Sequence, residues 1–238
     1  MTDPALETVL TQARLFLEYQ METYGPDLVL ESGPGSVRGD RQVLSSELED
    51  YRRDICGCDR CGLSKTRMHF VFGVDDPSAN LMLIGEAPGE EEDRRGEPFV
   101  GAAGRLLDKI LEAIGFERGE VYIGNILKCR PPGNRDPLPE EVALCIPYLT
   151  KQIEIIAPRL ILALGRVAAQ NLLGTQAPLN RLRGEVHELN GVPMLVTFHP
   201  AALLRNPEWK RPAWEDVQRL RKLYDERVGD KPGWNPPK

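Results

Sequence analysis

Apolar residues change spacing along the chain, and those changes mark out the elements. Residues 4–24 carry Leu6, Val9, Leu10, Ala13, Phe16 and Leu17 at helical spacing, and residues 25–41 are rich in glycine, proline, serine and charge. The pattern predicts an appended helix and a flexible linker over 1–44, with no part in chemistry. A short helix is predicted over 45–54, just before a segment holding Cys56, Cys58 and Cys61. From residue 70 onward short apolar runs at 81–84, 121–127, 160–164 and 194–198 alternate with helical patterns at 106–114, 140–156 and 167–173. That alternation predicts βαβ units: an α/β fold with a mainly parallel sheet covered by helices on both faces. The predicted domain runs over 45–227, and the last residues, 228–238, with three prolines, are expected to be loose.

Open parallel sheets bind ligands at the carboxyl ends of their strands. The residues that break the apolar runs fall at those ends: Gly85-Glu86-Ala87-Pro88-Gly89, Asn125, Gly165 and His199.

Composition narrows the classes. At 238 residues the chain holds one α/β domain with extensions but is cramped for two. Its 41% hydrophobic and 28% charged residues suit a soluble globular protein, and no apolar run approaches the ~20 residues of a membrane span. With no charged-then-apolar pattern at the amino terminus, the expected location is the cytoplasm. A formal net charge of −6 argues against bulk attraction to nucleic acid, so DNA contact would rest on local basic patches and shaped loops. Lys128, Arg130, Arg135, Arg205 and Lys210 are the candidates for phosphate contact.

Five cysteines without a secretion signal suit metal ligation or free thiols better than a disulfide framework. Cys58 and Cys61 are spaced so that one turn presents two thiolates, as in redox dithiols and zinc knuckles. Cys129 and Cys145 complete a set of four, dispersed in a way that favours a [4Fe-4S] cluster over zinc, because a cubane offers four separated corners. Cys56 is the fifth thiol, with the poorer pairing geometry.

The strand-end loops carry the remaining chemistry. The glycines around 85–104 permit close approach of backbone to a ligand. No phosphate fingerprint is present, and the acidic run from Glu90 to Asp93 would repel a pyrophosphate. Phe99 offers a ring for stacking on a base, with a core role as the alternative. Asn125 offers one amide donor and one acceptor, matching O4 and N3–H of uracil where cytosine presents the reverse. His199 opens a short helix that carries Leu203, Leu204 and Arg205, a segment suited to pushing an apolar wedge into a duplex.

Taken together, these segments make the chain resemble the iron-sulfur uracil-DNA glycosylases of family 4, over about residues 55–226. The resemblance implies a three-layer α/β/α sandwich around a four-stranded parallel sheet. It implies a [4Fe-4S] cluster on Cys58, Cys61, Cys129 and Cys145. It implies hydrolysis of the bond between a flipped uracil and its deoxyribose, on single- or double-stranded DNA, in base excision repair. By the same resemblance Phe99 stacks on uracil, Asn125 reads its edge, and His199 donates to O2 as charge develops there. Glu86 joins His199 as a catalytic residue, Glu92 belongs to the pocket and walls out the thymine methyl, and Asn134 matches a family position. Ala87 stands where many members have glycine, which would narrow the pocket. A related subgroup forms a covalent adduct through a histidine in a basic insertion, and Arg130-Pro131-Pro132-Gly133-Asn134 has no such histidine, so ordinary hydrolysis is expected. A monomer is expected. The competing classes are a catalytically silent, cluster-containing nucleic-acid-binding module and a zinc-stabilised hydrolase of nucleotides. The Asn125 and His199 loops argue against the first, because pure binding does not need them.

Overall fold

The computed structural model describes residues 41–234. The helix predicted over 4–24 and nearly all of the linker lie outside the described residues. The helix predicted over 45–54 is longer than expected, α1 at Arg41–Ile55, and buries Leu48 and Ile55.

The sheet is built on strands that are apolar without interruption, the pattern of a strand covered on both faces. β2 (Leu81–Gly85) and β4 (Leu160–Leu164) are buried at every position. They pair in parallel with each other, and β2 pairs in parallel with β3 (Tyr122–Asn125) on its other side. β6 (Val192–Thr197) adds to β4 in parallel from Met194 onward, so Pro193, which has no N–H, precedes that ladder. These four strands are the parallel sheet that the sequence predicts. Two short antiparallel strands, β1 (Val74–Asp75) and β5 (His187–Leu189), extend it to six in the order β1-β3-β2-β4-β6-β5. Their brevity hid them from the apolar pattern.

Alternation along the strands divides the core into two layers. Leu81, Leu83, Ile123, Leu160, Leu162 and Leu195 face α3 (Ala102–Ala113) and the carboxy-terminal α8 (Lys210–Arg227). Met82, Ile84, Tyr122, Ile161, Met194 and Val196 face α1, α4 (Pro139–Ile156), α5 (Arg166–Leu173) and the short α6 (Leu179–Leu182). This is the α/β/α sandwich. Each Leu or Ile buried in these layers contributes about 1.5–3 kcal/mol of transfer free energy. Two further short helices, α2 (Glu90–Arg95) and α7 (Pro200–Arg205), lie in the strand-end loops.

The carboxy-terminal segment corrects an expectation. Residues 228–234 are tied down rather than loose: the Trp234 indole donates to Ala113 O at 3.0 Å, Arg221 donates to Pro232 O at 2.6 Å, and Lys231 pairs with Glu120. Among the described residues no helix is long and apolar enough to cross a membrane.

Candidate active site and cysteine pocket

β2 has β3 on one side and β4 on the other: the chain runs outward from β2 to β3 and then crosses back to β4, so the strand order switches between β2 and β4, the point at which open sheets bind ligands. All four parallel strands deliver a residue to this edge: Glu86 follows β2, Asn125 ends β3, Gly165 follows β4 and His199 follows β6. Gly85 and Asn125 are directly paired in register.

Glycine at 85 is a steric requirement. A Cβ there would lie 2.4 Å from Asn125 Oδ1 and 2.7 Å from the Phe99 ring, so the amide and the ring converge over a bare backbone. Asn125 is buried, and its Oδ1 has no hydrogen-bond partner among the described residues. A buried acceptor left unpaired costs about 1–3 kcal/mol, so this position calls for a donor from a ligand.

Phe99 adopts a left-handed backbone, φ 53°, a conformation that costs an L-residue roughly 1–2 kcal/mol. The surrounding bonds over-determine it. Glu92 Oε1 accepts from Val100 N–H and Gly101 N–H, each at 2.9 Å. The Arg118 guanidinium donates to Phe99 O at 3.0 Å and Pro98 O at 2.8 Å, and Gly104 leaves room for that same Phe99 carbonyl. Glu92 therefore fixes the loop that carries Phe99, with its carboxylate spent on backbone amides at the start of α3. Arg118 has no counterpart in the sequence reading, because a charged residue in a polar turn gives no signal of a distant carbonyl partner.

His199 caps α7 and lies beside Phe99, ring centroids 5.4 Å apart. Its Nδ1 accepts from Ala201 N–H at 3.2 Å, which puts the proton of the neutral ring on Nε2. Burial, with the nearby Arg205 charge, lowers its pKa to about 4 against the opposing pull of Glu92. At neutral pH His199 is thus an uncharged donor held in one tautomer. Gly165, φ 92°, admits it: a Cβ at 165 would meet His199 Cβ at 2.9 Å.

Burial pushes Glu86 up to about 7, with Asp136 raising it further and Arg166 pulling it down. Asp136 and Arg166 are themselves an exposed pair at 2.6 Å. Glu86 also holds the loop after β3, through its carbonyl and Leu127 N–H at 3.0 Å. Ala87 is half-buried against the core.

Burial corrects the expectations for Leu203 and Lys128. Leu203 is only 2% exposed and packs with Phe198 and Ala213, so it is core; Leu204, 46% exposed, is the apolar side chain that faces outward, next to exposed Arg205. Lys128 is fully buried, its Nζ donating to Gln152 Oε1 at 2.6 Å and Asn125 O at 3.0 Å, and has no reach to a phosphate. Burial lowers its pKa to about 8. Asn134 is exposed and its Oδ1 accepts from Arg130 Nε at 2.8 Å, and no contact draws it to Phe99, Asn125 or His199. Arg135 is engaged with Glu141 at 2.6 Å.

Just beyond Asn125 the same loop reaches the cysteines. Cys58, Cys61, Cys129 and Cys145 line one pocket, whereas Cys56 is exposed and outside it. Each of three sulfurs receives a donor: Tyr148 Oη to Cys58 at 3.2 Å, Arg67 to Cys129 at 3.1 Å, and Lys128 N–H to Cys145 at 3.3 Å. Among the described residues no three thiols, imidazoles or carboxylates converge on a point where a single metal ion would sit. Four thiols thus line one shared pocket, and donors are aimed at three of the sulfurs.

An α/β/α sandwich that brings a neutral imidazole donor, an unpaired amide acceptor and an aromatic ring to one strand edge defines a protein that reads a small planar base. The chain belongs to the uracil-DNA glycosylase superfamily: residues 72–218 match the family described as Uracil DNA glycosylase superfamily. It is similar to the type-4 uracil-DNA glycosylase of Archaeoglobus fulgidus, 45% identical over 184 residues, covering 74% of this chain and 92% of that protein. The type-4 enzymes of Pyrobaculum aerophilum and Thermotoga maritima are 44% and 43% identical, covering 68% and 69% of this chain and 86% and 88% of theirs. A type-5 uracil-DNA glycosylase of Pyrobaculum aerophilum is 33% identical over 147 residues, covering 54% of this chain and 64% of that protein.

Proposed function

We propose that this protein removes uracil from DNA by hydrolysing the bond between uracil N1 and deoxyribose C1′. The observation that carries the reading is the buried, unpartnered Asn125 Oδ1 beside a histidine locked as a neutral donor. Uracil presents N3–H to the amide oxygen and O4 to the amide nitrogen, and its O2 to His199 Nε2–H. Cytosine turns an acceptor at N3 toward Oδ1 and is refused.

When C1′–N1 breaks, the electron pair goes to uracil and the sugar becomes cationic. His199 Nε2–H stabilises the charge that gathers on O2, and a neutral imidazole retains its proton as it does so. Water adds its oxygen to C1′ and loses a proton to Glu86, which at its pKa of about 7 is half ionised at neutrality. Uracil N1 gains a proton from solvent on release, and an abasic site remains. Phe99, fixed through Glu92 and Arg118, gives the base its stacking surface.

Cys58, Cys61, Cys129 and Cys145 would hold a [4Fe-4S] cluster, which when bound cross-links the segment after α1 to α4 and to the loop of Asn125. Its donor set fits, and no step of hydrolysis runs through it. Leu204 fills the space the base leaves, and Arg205 meets the backbone.

The direct test incubates the purified protein with an oligonucleotide bearing one uracil, then alkali, with thymine and cytosine controls. Strand scission at uracil alone is expected. No scission by iron-loaded protein would leave a silent DNA-binding module instead. Asn125→Asp, which replaces the N–H donor to O4, should lower discrimination of uracil over cytosine by about tenfold or more.

A further inference from the structure

We propose that the exposed face of Trp209 is a stacking platform for an unpaired base that neighbours the flipped uracil on the same strand. The proposal rests on the glycosylase reading and adds a second base-binding position to it.

Trp209 closes the turn Pro207–Trp209 between α7 and α8 and is 38% exposed. Its indole is stacked on Phe198, centroids 5.1 Å apart at 23°, and Phe198 immediately precedes His199. The Arg183 guanidinium lies 4.1 Å from the centroid of the same phenyl ring, so Phe198 is held between a cation and an indole. Arg183 is anchored in turn on Asp216 at 2.7 and 3.0 Å and on Pro212 O at 2.6 Å, while Asp216 accepts from Thr197 Oγ1 at 2.7 Å. The indole is therefore mounted on a stack rooted in a part-buried ion pair, and the phenyl ring it rests on is one residue from the catalytic imidazole. A face fixed in advance loses little freedom when a second ring lies on it.

The surroundings select the partner. Leu204, Arg205, Lys210 and Arg211 are exposed on the same short stretch of chain, and α8 starts there with no acidic residue in its first turn. Arg211 is offset by Glu215 at 3.7 Å and Glu208 adjoins the indole, which leaves Arg205 and Lys210 for phosphates. An aromatic face flanked by cations beside a base pocket suits single-stranded nucleic acid, where stacking is tolerant of sequence because every base has a π face. In a duplex the neighbouring base is already paired and stacked, so the platform favours single-stranded substrate.

Two measurements test this. A single-stranded oligonucleotide carries a stable abasic analogue at the uracil position and 2-aminopurine beside it. Binding to the wild-type protein and to Trp209→Phe should quench 2-aminopurine. Trp209→Leu, which keeps apolar cover on Phe198, should leave it bright and weaken single-strand binding by about tenfold, with a smaller loss on duplex. Equal quenching and equal affinity in Trp209→Leu would overturn the platform. The second measurement needs no variant: 5-iodocytosine at the flanking position, irradiated in complex with wild-type protein, should cross-link to Trp209, and adducts confined to other residues would overturn it. Excision of uracil is scored separately. Its absence would sink the glycosylase reading, whereas the two stacking readouts judge Trp209 alone.

Discussion

The base pocket and the cysteine pocket share one loop, from Asn125 to Cys129, but they are held in different ways. In the base pocket the protein fixes its own groups: Glu92 and Arg118 hold the Phe99 loop, Ala201 N–H sets the His199 tautomer, and Gly85 and Gly165 make the room. Around the cysteines, three of the four thiols take donors, from Tyr148, Arg67 and the Lys128 amide. One region is preorganised by protein bonds; the other, on the proposed reading, would be closed by a bound cluster. Lys128 stands between them, with its ammonium on Asn125 O and Gln152 and its backbone N–H on Cys145. Gln152 passes the connection to Phe72 O at 3.0 Å and Tyr122 Oη at 2.9 Å. Damage to the cysteine side should therefore reach the base pocket through backbone, while damage to the base pocket should stay local.

The largest effect should come from the cysteine side. On the proposed reading, replacing Cys58 and Cys61 together by serine removes the cluster's cross-link to α4, and a constraint that closes a loop of this length is worth about 3–5 kcal/mol. At roughly 2–4 °C per kcal/mol the melting temperature should fall by about 6–20 °C. Iron and sulfide content, the visible absorbance and uracil excision should fall with it. A variant that melts and cleaves like the wild type would show that the cysteine pocket, like the base pocket, is held by protein bonds alone.

His199→Ala is expected to do the reverse. Single-turnover excision should drop by about 10²–10³-fold, the usual loss for one preorganised donor to a developing oxyanion. Iron content and DNA affinity should be unchanged. Loss of iron in this variant would show that the two pockets are not separable in that direction.

The sequence reading and the structure agree where a residue's role follows from its place on a strand. The uninterrupted apolar runs located β2, β4 and the parallel centre of the sheet, and placed Glu86, Asn125 and His199 at strand ends. What the runs could not show is what each polar side chain meets. Lys128 looks like a phosphate contact because it sits among basic loop residues, yet its partner Gln152 lies 24 positions away on α4. Glu92 is expected in the pocket, and no spacing announces that its Oε1 is also engaged by the amides of Val100 and Gly101. Leu203 and Leu204 are chemically the same, and only the phase of a six-residue helix decides which one is core. Short antiparallel edges such as β1 and the packed tail at 228–234 leave no periodicity to detect.

That leucine pair sharpens the comparison within the base-binding half. Leu203→Ala should cost about 2–4 kcal/mol of stability, because it opens a cavity against Phe198 and Ala213. Leu204→Ala should leave the melting temperature within a degree or two and slow excision from duplex DNA by about tenfold, the range expected for losing an inserted wedge. Excision from single strands should hardly change. Exchanged outcomes would reverse the assignment.

The smallest expected shifts, fractions of a pH unit, are in the pH profile that separates Glu86 from His199. Glu86 has its pKa raised to about 7 in the fold, and His199 has its own lowered to about 4. If Glu86 accepts the proton of water, the excision rate should rise about tenfold per pH unit below pH 7 and flatten above it, with no limb from His199 until near pH 4. Asp136 raises the Glu86 pKa and Arg166 lowers it. Asp136→Asn should therefore move the inflection to lower pH and Arg166→Gln to higher pH, each by a fraction of a unit. Stability has its own sign. Because the folded value lies above that of the unfolded chain, the contribution from protonated Glu86 is complete below about pH 4.5 and is lost as pH rises through 7. Glu86→Gln should thus gain stability over the wild type above pH 7 while its excision rate, already low, loses the inflection. A wild-type rate independent of pH between 5 and 8 would remove Glu86 from proton transfer and leave it the role of orienting the loop of Leu127.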